Sequence, residues 1–108
     1  MLKAIAPLVL LLGITQPALA DEFDVTTERA GRDGAFMRIN FGVKSAAERP
    51  AKMVFVTCTA FDADSKPVNT GTGIVNNLKP AEKAFGTVNI RFEADMKSAA
   101  CRYSNASY

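Results

Sequence analysis

The chain predicts an all-β fold, an antiparallel sandwich or small barrel, on three observations. Short runs of β-favouring residues alternate apolar and polar side chains, turn-forming clusters separate these runs, and no segment has a convincing amphipathic helical period. Residues 36–43, FMRINFGV, place Met37, Ile39, Phe41 and Val43 on one face and Arg38 and Asn40 on the other, the pattern of a half-buried strand. After the polar break SAAERPAK, residues 53–61, MVFVTCTAF, form a second strand dense in valine, phenylalanine and threonine. One face of that strand holds Val54, Val56, Cys58 and Ala60; the other holds Met53, Phe55, Thr57, Thr59 and Phe61.

DADSKP reads as a turn in which Asp62 and Asp64 bond nearby backbone amides. VNTGTGIV is a short strand weakened by glycine and therefore expected at an edge. Beyond the loop NNLKPAEK, TVNIRF (87–92) alternates Val88, Ile90 and Phe92 against Thr87, Asn89 and Arg91. EADMKSAA (93–100) is compatible with one helical turn, and a last strand over Ala99–Ser104 would carry Cys101 and Tyr103 on one face.

Residues 1–20, MLKAIAPLVLLLGITQPALA, have the form of a cleavable signal peptide: a charge at Lys3, an apolar run from Ala4 to Ile14, then Ala18-Leu19-Ala20. The apolar run is about half the roughly 20 residues needed to span a bilayer, so stable membrane insertion after cleavage is not expected. Removing these 20 residues from the 108 leaves 88, enough for one domain with a small core. Residues 21–35 are then an N-terminal segment, solvated or frayed in part, and 36–108 the β-sandwich domain. With Lys3 gone, 12 basic residues face 11 acidic ones, a net charge of +1 that favours neither nucleic acid nor an anionic membrane surface.

Export places the chain in an oxidising compartment, the periplasm or the exterior, where its two cysteines, Cys58 and Cys101, pair by default. The loop of about 43 residues that they close corresponds to roughly 4 kcal/mol of chain entropy, comparable with the whole stability of a small domain. Catalytic use of Cys58 would want a histidine beside it, and the chain has none; Cys-x-x-Cys spacing, the mark of an exchangeable pair, is also lacking. If both sulfurs point inward, the bond joins two strands distant in sequence, across two facing sheets.

The stretch CTAFDADSKPVNTGTGIVNNLKPAEKAFGTV resembles the FxLYD domain, an immunoglobulin-like β-sandwich of exported prokaryotic proteins. In the Phe-x-Leu-Tyr-Asp pattern Cys58 stands at the Phe position, Ala60 at the Leu and Phe61 at the Tyr, while Asp62 matches. The loop usually written Leu-x-Pro-Gly-Glu is here Leu78-Lys79-Pro80-Ala81-Glu82, and alanine at Ala81 suggests a position that needs no positive φ. The resemblance implies a small antiparallel immunoglobulin-like β-sandwich, with the disulfide filling the volume that Phe and Leu would have occupied. It brings no catalytic residue and no cofactor.

Chemical motifs point the same way. NTGTG (69–73) lacks the Lys-Ser/Thr of a phosphate loop, and Lys66 and Pro67 stand where a calcium loop started by Asp62, Asp64 and Ser65 would need an oxygen ligand and a glycine. With no histidine and both cysteines paired, the usual metal and haem ligands and the usual general base are missing, so no cofactor is expected. Asn105-Ala106-Ser107 is a glycosylation sequon, silent in a bacterial periplasm. Met53, Phe55 and Phe61, opposite the disulfide face, are the candidate partner surface; the competing expectation is that the N-terminal segment, including Phe23 and Phe36, folds over them or that sheet twist buries them. A non-enzymatic binding or accessory module contacting another exported or envelope protein is the leading reading. The alternatives are a small cell-envelope hydrolase or hydrolase inhibitor, and a stand-alone structural or stress protein.

Overall fold

Residues 22–108 are described by the structure, a computed structural model. Six strands follow one another: β1 (Phe23–Asp33), β2 (Phe36–Ser45), β3 (Ala51–Phe61), β4 (Pro67–Leu78), β5 (Lys83–Arg91) and β6 (Ser98–Ser107). They form two antiparallel three-stranded sheets, ordered β1-β2-β5 and β4-β3-β6. The sheets face each other with β1 beside β6 and β4 beside β5. This is the arrangement of an immunoglobulin-like sandwich reduced to strands A, B and E in one sheet and C′, C and F in the other. The expected signal peptide lies outside the described residues.

The alternation in β2 and β3 produces the core directly. Ile39, Phe41 and Val43 from one central strand meet Val54, Val56, Cys58 and Ala60 from the other, all fully buried. Val88 and Ile90 of β5 extend that layer from beside Ile39 and Met37, while Met96, in the β5–β6 connection, is buried at one end. Gly73 of β4 and Gly86 of β5 have a packing role: a Cβ on Gly73 would come within 2.6 Å of the Phe41 ring, and one on Gly86 within 2.5 Å. Phe41 therefore lies over Gly86 in its own sheet and reaches Gly73 in the other.

Four expectations change. Within the expected N-terminal segment, residues 23–33 are not a frayed leader to the domain, because β1 pairs with β2 along its length, with a bulge between Thr27 and Arg29. The proposed helical turn over 93–100 is replaced by a reversal with positive φ at Ala94 and Asp95 and by the first residues of β6. Cys58 and Cys101 are bonded, and no cysteine is free among the described residues, but the bond does not cross between sheets. β3 and β6 are neighbours in one sheet, the two cysteines face each other in register, and their Cα atoms are 4.0 Å apart. Such close approach is typical of the non-hydrogen-bonded pairs of an antiparallel ladder, which leaves the Cys101 amide turned away from β3. It donates to Thr27 Oγ1 at 2.8 Å and so ties β6 to β1.

Ala81 is the fourth. Its φ is 66°, contrary to the expectation of no positive φ there. Lys79-Pro80-Ala81-Glu82 is a turn closed by Glu82 N donating to Lys79 O at 3.0 Å, with proline second and the left-handed residue third, the type II pattern. Register leaves no freedom to relax it. Ala81 N donates to Ser45 O, Ser45 N donates to Glu82 O, and the Glu82 carboxylate accepts from Lys79 N at 2.8 Å.

Candidate binding face

Pairing and alternation place Met53, Phe55, Thr57, Thr59 and Phe61 of β3 on the outer face of the β4-β3-β6 sheet. Phe23 and Phe36 do not fold over them. Phe23 is buried between the sheets against Tyr103, their ring centroids 5.5 Å apart, and Phe36 lies on the far sheet opposite Arg91. Met53 is 37% exposed, Phe55 and Phe61 are half-buried, and Ile74, directly opposite Phe55 on β4, is 49% exposed.

Met53, Phe55 and Ile74 are adjacent, since i, i+2 neighbours share a face and directly paired residues bring their Cβ atoms within about 5.5 Å. Phe61 is not part of this group: six residues of strand separate it from Phe55, roughly 20 Å. Two directly opposed threonine pairs, Thr57 with Thr72 and Thr59 with Thr70, fill the interval. Ile74 was missed from the sequence, although its alternation with Val75 meant that one of the two had to face outward.

On this face, between Met53 and Phe61, the outward positions of β4 are Thr70, Thr72, Ile74 and Asn76, and those of β6 are Ser98, Ala100, Arg102, Asn105 and Ser107. Arg102 is their one charged side chain. The outer face of the β1-β2-β5 sheet is the opposite in character. It carries Arg38, Lys44, Lys83 and Arg91, with Arg38 3.1 Å from Asp33 and Lys83 3.5 Å from Glu28. Glu28 also accepts a 2.6 Å hydrogen bond from the Thr26 hydroxyl, and this bond, with the Lys83 ammonium, holds its carboxyl below the ordinary glutamate range. Phe85, 67% exposed, stands on that charged face beside Lys83.

The remaining motif residues have structural roles. Asp62 accepts from the Asp64 and Lys66 amides at 2.9 and 3.0 Å, closing the β3–β4 turn, and NTGTG lies within β4. Among the described residues no group of three or more acidic, cysteine or histidine side chains could hold a metal ion, and no helix is long and apolar enough to cross a membrane. Comparison with protein-family models, with curated proteins and with solved structures finds no match for this chain.

Proposed function

We propose that this is an exported, non-enzymatic binding module that docks another exported or envelope protein on the outer face of the β4-β3-β6 sheet. The observation behind the proposal is the contrast between the two outer faces. One is laced with charge; the other, between Met53 and Phe61, has Arg102 as its one charged side chain and groups Met53, Phe55 and Ile74. Depletion of charge around large apolar side chains is the composition of an interface core, whereas the single exposed Phe85 among cations is ordinary surface. A formed disulfide agrees with an oxidising compartment.

Crosslinking in the native compartment, followed by capture and mass spectrometry, tests this reading. Phe55→Ser and Ile74→Ser should each abolish recovery of a stoichiometric partner while the protein stays folded and oxidised, and Phe85→Ser on the charged face should leave recovery intact. Equal recovery with all three folded variants would remove the face from consideration.

A further inference from the structure

At the end of the sandwich where the β2–β3 and β4–β5 connections meet the last residue of the chain, there is a cavity of about 550 Å³. This size lies within the range of small-molecule sites. Its apolar wall includes Pro50, Pro80 and the Tyr108 ring; Arg49, Lys52 and Lys79 also line it, and none of its lining side chains is acidic. None of those three cations belongs to an ion pair among the described residues. Glu82 caps the Lys79 amide, while Glu22, which accepts the Tyr108 hydroxyl, and Glu48 line an adjoining hollow that shares Arg49 and Tyr108 with this cavity.

The walls are already set. The Tyr108 ring lies 6.3 Å from Phe23, with the Arg49 guanidinium 4.2 Å from its centroid, and Pro80 is fixed by the turn that Ser45 and Glu82 hold. Little ordering of that apolar wall is therefore needed on binding. We propose that this cavity binds a small free amphiphilic anion, its apolar part between Pro50, Pro80 and Tyr108 and its carboxylate among Arg49, Lys52 and Lys79. The apolar wall accounts for the body of such a ligand and the cations, which make no ion pair among the described residues, for its charge; neither half alone uses the whole cavity. This site lies at the loop end and is separate from the sheet face proposed for protein contacts.

The test is a titration of the isotope-labelled, oxidised full chain with octanoate, octanol and inorganic phosphate, followed by the amide resonances of residues 49–52, 77–80 and 108. Octanoate should give saturable shifts confined to these segments, with octanol and phosphate at least about tenfold weaker. Lys52→Ala and Lys79→Ala change exposed side chains and leave the core untouched. Each should weaken octanoate by about threefold, and added salt should do the same. The proposal is overturned if octanoate gives no saturable shift at these amides, if octanol or phosphate binds as well as octanoate, or if the double variant binds octanoate unchanged.

Discussion

At Ala81 an L side chain is held at φ 66°, where the Cβ costs roughly 1–2 kcal/mol relative to glycine. The surrounding hydrogen bonds to Ser45 and Lys79 keep it there, because the β2–β5 register depends on that turn. Glycine gives back part of the gain through a freer unfolded chain, leaving an expected net stabilisation of about 0.5–1 kcal/mol for Ala81→Gly. Urea unfolding should show a higher midpoint with an unchanged slope. A lower midpoint would mean that the left-handed turn is not what the folded chain adopts. Residue identity alone concealed this position: alanine has no preference for positive φ, so only the proline before it and the glutamate after it signalled a turn.

Among the elements, β2 and β3 were legible because each has one apolar face, and a period of two exposes that at once. β1 was not. Beyond Phe23 and Val25 its sequence is TTERAGRD, exposed throughout, and its strand state comes from pairing with β2. The β5–β6 connection misled for the reverse reason, since Ala, Met and Lys favour helix in isolation while the chain must reverse direction there. For the disulfide, cysteine count and compartment identified the partners, but periodicity carries no information about which strands are neighbours. The same limit applies to the sites. Met53 and Phe55 could be read from strand parity, Ile74 depended on the β3–β4 register, and the cationic cavity is assembled from three distant segments. The bond between β3 and β6 closes a 43-residue separation around a fully buried Cys58. Replacing both cysteines by alanine should accordingly cost about 2–5 kcal/mol in urea unfolding. A loss below about 1 kcal/mol would show that the ladder, Thr27 and the aromatic contacts already hold β6 without the crosslink.

At the scale of the whole molecule, two open sides must be closed where the sheets meet, and they are closed by different means. On the β4–β5 side, inward glycines let Phe41, Val88 and Ile90 close in on β4. On the β1–β6 side the contacts are side-chain ties: Phe23 against Tyr103, Thr27 to the Cys101 amide, and the Tyr108 hydroxyl donating to Glu22. The last of these joins the start of the described fold to its end and makes that closure sensitive to pH. Donation to the Glu22 carboxylate, assisted by desolvation, pushes the Tyr108 phenol up to about 12, above its ordinary value of 10.0. A raised folded-state pKa means that the contribution is complete below the unfolded value and is lost as pH rises toward and through about 12. Unfolding measurements should therefore show stability falling over that alkaline window. Glu22→Gln removes the carboxylate, so Tyr108 should titrate closer to 10 and the alkaline decline should flatten. The chain has two tyrosines, so tyrosinate absorbance compared with that of Tyr108→Phe assigns the late-titrating group. If Glu22→Gln leaves the late titration in place, the tie between the two ends of the fold is not made through this pair.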